Sequence, residues 1–403
     1  MKTVAIISEY NPFHSGHLHQ VEKIRESFGA DTRIVAIMSG NYTQRGEIAF
    51  LDKSIRAKMA VLCGVNLVLE LPFPYSIGSA ELFASAGISI ADALGCIDYL
   101  SFGSELGDLS LLTDAANIMR GDGFARDLLE IQKDHPALGH AALTEKALAL
   151  HIGAEKAKAL LTPNNILAIE YLKALIRRES KIMPHTVLRE GAGYGDETLS
   201  QHSHSSAGAI RAAIRDARLT DAAAHIPPAC RKEFLDEIAS GNAPTDEGRL
   251  DSAILSYFRL NKPTASSKIL DAEGGLYNRL ITKSYEANDI FGLTALTETK
   301  KFTRARIRRA IWYSFFGVTS SVARSTPGFT RVLALDKEGQ AILHDAKKCA
   351  GIPIVTKPSE MLTEKEAQRQ KALADRADAV FQLTKPCGTS GSFAMRSSPF
   401  YKG

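Results

Sequence analysis

Residues Thr3 to Ser8 form an unbroken run of β-branched and apolar side chains, the pattern of a strand covered on both faces. Residues 18–28 then carry helical spacing, and 33–38 form a second apolar run. Residues 52–63 read as a helix with Ile55, Met59 and Leu62 on one side. A third strand is expected over 66–71, ending at Pro72, followed by a small-residue helix over 80–94 and a fourth strand over 96–102. This βαβαβαβ order predicts a doubly wound parallel sheet, an α/β fold of Rossmann type. Residues 109–178 read as a helical insertion before a fifth strand at 182–188, and 206–217 as the closing helix.

The stretch 222–246 holds Pro227-Pro228 and Gly241-Asn242-Ala243-Pro244, and it reads as loose chain between two domains. The expected division is a catalytic domain over 1–220 and a second, mostly helical α+β domain over 245–403. In the latter, 250–259, 272–285, 289–297 and 303–316 read as helices. Residues 332–335, 353–356 and 379–383 read as strands, and the Ser- and Gly-rich tail 388–403 as loosely ordered.

Composition narrows the class. With 45% hydrophobic and 23% charged residues the 403-residue chain is ordinary for a globular protein. No apolar run approaches the roughly 18 residues of a membrane span. The opening Met1-Lys2-Thr3 leads into an apolar run too short for a secretory signal. The five cysteines are scattered without a CxxC pair, so no zinc ribbon is indicated. A cytoplasmic, non-membrane protein is expected.

The candidate chemistry lies in the turn after the first strand. Here His14-Ser15-Gly16-His17 precedes a helix. Ligands of open α/β sheets bind at the carboxyl ends of strands, and a helix start offers free N–H groups to phosphate. Two histidines three residues apart are suited to donate to a triphosphate as charge develops on the α-phosphate and the leaving pyrophosphate. The alternative is a polar turn that the two rings merely decorate.

The segment Ile7 to His17, ISEYNPFHSGH, resembles the signature of the bacterial tRNA(Met) cytidine acetate ligases, a HIGH-type nucleotidyltransferase family. The resemblance continues through Met38-Ser39-Gly40-Asn41-Tyr42-Thr43-Gln44-Arg45-Gly46-Glu47, Asp52-Lys53 with Arg56, and Leu67-Val68-Leu69-Glu70-Leu71-Pro72. It goes on through Phe102-Gly103-Ser104-Glu105, Pro163-Asn164-Asn165-Ile166-Leu167, Arg189 before Gly191-Ala192-Gly193-Tyr194, and Thr303-Arg304-Ala305-Arg306. It implies an enzyme that makes acetyl-adenylate from acetate and ATP. The acetyl group then passes to N4 of the wobble cytidine of elongator tRNA(Met), giving N4-acetylcytidine.

Carried over by residue, the resemblance implies catalytic roles for His14 and His17. It places ATP on Ile7, Ser8, Glu9, Tyr10, Asn11, Pro12, Phe13, His14, Ser15, Gly16, His17, Leu18, His19 and Gln20. Gly103, Asn164, Asn165 and Arg189 complete the nucleotide site, and Mg²⁺ is expected to accompany ATP. Ser205 to Arg211 resembles the superfamily's second phosphate motif, with Ser206 and Arg211 as its contacts; it departs at Gly208, where Thr is common. Plainer readings stand beside these. Asn164, Ser206 and Asp52 suit helix starts, Gly103 suits a turn, and Arg189 suits a surface pair with Glu190 or Asp196. The pair His202 and His204 reads as part of a solvated loop, and no metal ligands are identified.

Lys300, Lys301, Arg304, Arg306, Arg308 and Arg309 place six cations within ten residues. At helical spacing Arg306 and Arg309 are expected to share a face opposite Ile307, Ile311 and Phe315, with Lys301 and Arg308 on the flank. Arg304 lies close to the apolar stripe. Such a run without interleaved acids suits RNA phosphates; a solvated charged face is the alternative. Two other functions stay open on the residues alone. One is a related nucleotidyltransferase that adenylates a small phosphate ester. The other is a nucleotide-regulated tRNA-binding protein without catalysis.

Overall fold

The computed structural model describes residues 1–403 apart from 137, 190–197, 201–203, 263–267, 358, 389 and 393–396. The expected resemblance at 191–194, the acidic partners Glu190 and Asp196, and His202 lie outside the described residues.

The chain runs β1 (Thr3–Ser8), α1 (Ser15–Phe28), β2 (Arg33–Ser39), α2 (Lys53–Leu62), β3 (Leu67–Leu71), α3 (Ala80–Leu94) and β4 (Tyr99–Ser104). The helical insertion follows as α4 (Leu109–Arg120), α5 (Asp122–Asp134), α6 (His140–Ile152), α7 (Ala154–Leu160) and α8 (Pro163–Arg177), leading to β5 (Met183–Leu188). Next come α9 (Ala207–Arg215), α10 (Leu219–Ala224) and α11 (Pro228–Ala239). A second helical group comprises α12 (Asp251–Leu260), α13 (Leu276–Ser284), α14 (Ile290–Thr297), α15 (Arg304–Phe316) and α16 (Ser320–Arg324). The chain ends with β6 (Thr330–Asp336), α17 (Lys337–Cys349), β7 (Ile354–Val355), α18 (Lys365–Phe381) and β8 (Phe400–Lys402).

The sheet order is β5-β4-β1-β2-β3-β6-β7. Strands β1 to β5 all run parallel to one another. The chain proceeds outward from β1 through β2 and β3, then returns to build β4 and β5 on the other side. The switch point therefore falls between β1 and β4, where a doubly wound sheet opens a crevice for a ligand. Both sheet faces are covered, which explains the unbroken apolar strands. Val4 and Ile6 pack with α1, α2 and α11, whereas Ala5, Ile37 and Leu100 pack with α3 and the insertion helices.

Four expectations change. Residues 228–239 are a helix, not loose chain: Pro228 sits at its first turn, where a missing N–H costs nothing. Residues 379–383 are not a strand; they close α18, whose Leu373, Ala377 and Phe381 recur at helical spacing and bury. Nor is 245–403 separate from the sheet, because β6 pairs antiparallel with β3 and β8 pairs with β6. Within the tail expected to be loose, Phe400–Lys402 is therefore a paired strand. Helices α12 to α15 bury a core of their own, and Tyr42, Phe73 and Ile77 of the first 80 residues sit in it. Among the described residues no helix is long and apolar enough to cross a membrane.

Candidate active site

The main cavity opens at the carboxyl ends of β1 and β4, at the switch point. Ile7, Ser8, Glu9, Tyr10 and Asn11 line it from β1 and the turn that follows, and His14, His17 and Gln20 from the start of α1. Gly103 closes the β4 side, and Asn164, Arg189, Ser206 and Arg211 complete the wall. Gly16 and His19 border a smaller recess that shares His14, His17 and Arg189. Pro12, Phe13, Ser15 and Leu18 do not line either space; Phe13 is wholly buried in the core beneath.

The two histidines are held by the backbone they cap. His14 is the N-cap of α1, and its Nδ1 accepts the Gly16 N–H at 3.0 Å. His17 reaches back so that its Nδ1 accepts the His14 N–H at 3.2 Å. This is a reciprocal capping box built from imidazoles. A neutral ring whose Nδ1 accepts must carry its proton on Nε2. Each histidine is therefore an Nε2–H donor in a fixed orientation. The rings lie 3.8 Å apart between centroids, and Tyr10 packs against His17 at 4.8 Å.

Burial keeps both rings neutral. It pushes His14 from its ordinary 6.5 down to about 3, and the charges of Arg189, His204, His225 and Arg211 add to the effect. His17 is lowered well below 6.5 by burial, then by His14 and Arg189. A consequence for stability follows. The unfolded chain protonates these histidines near 6.5, while the folded chain resists down to much lower pH. As pH falls below about 6.5 the unfolded state gains protons that the folded state does not, so stability is lost. His14→Asn, which keeps a capping side chain, should flatten the fall in the urea midpoint between pH 7.5 and 5.

Other residues shape the pocket without having been named as nucleotide contacts. Thr43, Gln44, Arg45 and Glu47 form one wall, and Phe83, Phe102, Leu167 and Tyr171 an apolar one. Glu9 accepts the Gln44 N–H at 2.7 Å, and burial raises its carboxyl above the usual range. Arg211 donates to the Asn11 carbonyl at 2.7 Å and lies 3.5 Å from the Glu47 carboxylate. Gly103 makes room for an arginine: a Cβ there would stand 3.0 Å from Cγ of Arg189. Ser206 is the N-cap of α9, with Oγ accepting the Ala209 N–H at 2.9 Å. Ala207 and Gly208 in the first turn still face the cavity, so the backbone N–H groups and helix dipole of that turn are available to phosphate.

Asn165 belongs behind the wall, not in it. It is fully buried; its Oδ1 accepts the Glu105 N–H at 2.9 Å and its Nδ2 donates to the Ala159 carbonyl at 2.9 Å. Both ends of the amide are used, Oδ1 on the 104–107 turn and Nδ2 on α7, which leaves Asn164 as the residue facing the cavity. Glu105 supports it by accepting from the Asn164 and Asn165 N–H groups and the Asn164 amide. The helix start that Glu105 meets lies 59 residues along the chain, so no local pattern signals the contact.

Asp52, Lys53 and Arg56 lie off the main cavity. Asp52 caps α2, accepting the Ser54 N–H at 3.0 Å. Arg56 is completely buried and donates to the carbonyls of Glu9, Ser39, Gly40 and Leu51, clamping the ends of β1 and β2 below the pocket.

The basic helix also differs from its expected arrangement. Arg308 and Arg309 are 8% and 9% exposed and held by Glu247 and Asp271 at 2.6 Å each. Arg309 thus points inward, and Arg306 is half-buried on the carbonyls of Asp271 and Glu273. The helix is packed on two sides, so spacing from the apolar stripe alone misplaces the outward face. Lys300, Lys301 and Arg304 remain exposed, with Arg304 stacked over Phe291 at 4.9 Å.

Comparison with known proteins agrees with this geometry. Residues 1–393 match the model of the HIGH Nucleotidyl Transferase family. The tRNA(Met) cytidine acetate ligase of Caldicellulosiruptor saccharolyticus is 37% identical over 353 residues, covering 86% of each chain. That of Syntrophotalea carbinolica is 35% identical over 374 residues, covering 90% of this chain and 87% of the relative. Thermotoga maritima TmcAL bound with alpha-thio ATP superposes with a TM-score of 0.91 at 28% identity, covering 100% of this chain and 99% of that one. Its apo form gives 0.92 at 29% identity with the same coverage. An α/β sheet with its histidine pair at the switch point, matched nearly end to end, means that this chain belongs to the HIGH nucleotidyl transferases and, within them, to the tRNA(Met) cytidine acetate ligase family.

Proposed function

We propose that this chain is an ATP-dependent ligase that activates acetate as acetyl-adenylate and passes the acetyl group to N4 of the wobble cytidine of elongator tRNA(Met). The observation that carries this reading is the pair of fixed Nε2–H donors of His14 and His17 in the switch-point cavity. In the first step an acetate oxygen attacks the α-phosphorus and pyrophosphate leaves. Negative charge grows on the α-phosphate oxygens and the leaving group, where two oriented donors in a buried site stabilise it most. Arg211, Arg189 and the first turn of α9 supply further positive potential. In the second step the exocyclic N4 attacks the acyl carbonyl, loses one proton, and AMP leaves.

Mg²⁺ is taken to enter with the nucleotide, as an ion carried mostly by phosphates and water. Glu9 and Glu47 line the wall and are the carboxylates placed to meet it. Such an ion would offset phosphate charge. Exposed Lys300, Lys301 and Arg304 are proposed to meet RNA phosphates, and tRNA as substrate implies a cytoplasmic enzyme. Isotope exchange of pyrophosphate into ATP tests the first step. It should require acetate and be independent of RNA. Exchange without acetate, with a dinucleotide product, would favour a small phosphate ester as acceptor instead.

A further inference from the structure

We propose that Arg308 and Trp312, in the basic segment and its helix, act as positioning residues for the nucleotide pocket rather than as contacts to RNA. Residues Thr43 to Gly46 form a tight turn, with the Gly46 N–H donating to the Thr43 carbonyl at 2.8 Å and the Thr43 N–H to the Glu47 carbonyl at 2.8 Å. The inner side of this turn is pocket wall: Gln44, Arg45 and Glu47 line the cavity, and the Gln44 N–H donates to Glu9. The outer side rests on α15. Both Arg308 Nε, at 3.2 Å, and Trp312 Nε1, at 2.9 Å, donate to the Gly46 carbonyl.

The contact is close and anchored at its far end. Gly46 has φ +75°, and a Cβ there would meet the Arg308 side chain and the Arg309 backbone N at 2.8 Å. Only glycine allows the turn to sit this near the helix. The Arg308 guanidinium is fixed in turn by both oxygens of Glu247, at 2.6 and 2.7 Å. Trp312 is 1% exposed. The planar fork of Arg308 thus spans Gly46 and Glu247 at once, a geometry that lysine, with a single ammonium, does not reproduce. The arrangement sets where Gln44 and Glu47 stand against a bound nucleotide. A misplacement of about 1 Å in such a wall costs up to roughly a hundredfold in rate.

This rests on ATP binding in the cavity, as proposed above, and two readouts keep the readings apart. ATP binding is measured by calorimetry without acetate or RNA, and acetate-dependent pyrophosphate exchange is measured alongside it. Arg308→Lys keeps the charge for any phosphate contact and should lower exchange kcat/KM about tenfold or more, weaken ATP binding, and leave tRNA affinity within about twofold. Glu247→Gln, which touches neither ligand, should move both readouts the same way by less. If Arg308→Lys fails to fold, Glu247→Gln alone decides. If wild type binds ATP but shows no acetate-dependent exchange, the reaction reading fails, while weaker ATP binding in the variants still supports the positioning role. Unchanged ATP binding and exchange in the variants would overturn it, as would a loss confined to tRNA affinity.

Discussion

Replacing His17 with Ala is expected to lower acetyl-adenylate formation by about two to three orders of magnitude while leaving tRNA affinity unchanged. Loss of one oriented donor at a site of developing charge costs about a hundred- to a thousandfold elsewhere. Here the donor is also neutral, half-buried and fixed by a backbone hydrogen bond, so no reorganisation replaces it. His14→Ala should cost at least as much in rate. It also removes the N-cap of α1, worth about 1 kcal/mol of stability. His14→Asn separates the two effects, because Asn caps well but does not place a ring Nε2–H in the pocket. Its rate should match that of His14→Ala and its thermal midpoint that of wild type. Exchange kinetics, calorimetric tRNA binding and melting curves read the three terms independently. Wild-type rates in both His14→Asn and His17→Ala would remove the histidines from the mechanism.

The largest stability effect is expected at Lys53. Its ammonium, 7% exposed, lies 2.6 Å from Glu70 and 2.5 Å from Asp378, whose side chains are 2% and 5% exposed. Arg331 joins them, 3.0 Å from Asp378 and 3.6 Å from Glu70, and also pairs with Asp375. Removing one cation from such a cluster leaves carboxylates buried and undercompensated, a loss on the order of 3–5 kcal/mol. Lys53→Met should therefore lower the urea midpoint sharply while its side-chain volume is nearly kept. The double change Lys53→Met with Asp378→Leu should recover much of that loss, because an apolar replacement of a buried ion pair is often neutral or stabilising. No recovery in the double variant would indicate that the charges are wanted for more than each other. The cluster ties α2, β3, β6 and α18 together, so the loss should unfold both ends of the chain in one transition.

The sheet and the site were legible to different depths. An apolar run covered on both faces identifies β1 wherever its neighbours lie, and a histidine pair after it marks a phosphate site. What the residue types do not carry is orientation. The sequence names His14 and His17 as donors, but only the backbone geometry shows Nδ1 committed to capping and Nε2–H left for the ligand. The roles of Asn164 and Asn165 are hidden for the same reason: adjacent asparagines look alike in sequence, yet one faces the cavity and the other holds the turn behind it. The arginines of α15 failed through distance along the chain. Glu247 lies 61 residues from Arg308 and Asp271 lies 38 from Arg309, beyond the reach of any local periodicity. Residues 222–246 show the converse, where two prolines suggested a break and one of them begins a helix. The return of β6 to the sheet is likewise a tertiary choice, since a short apolar strand fits many edges.

The central claim is that the activated acyl group made in this pocket is delivered to a tRNA base amine. Purified protein should be incubated with ATP, acetate and unmodified elongator tRNA(Met), and the digested nucleosides analysed by mass spectrometry. The account predicts N4-acetylcytidine at the wobble position, dependent on acetate and lost in His17→Ala. AMP and pyrophosphate released with acetate while the wobble cytidine stays unmodified would contradict it.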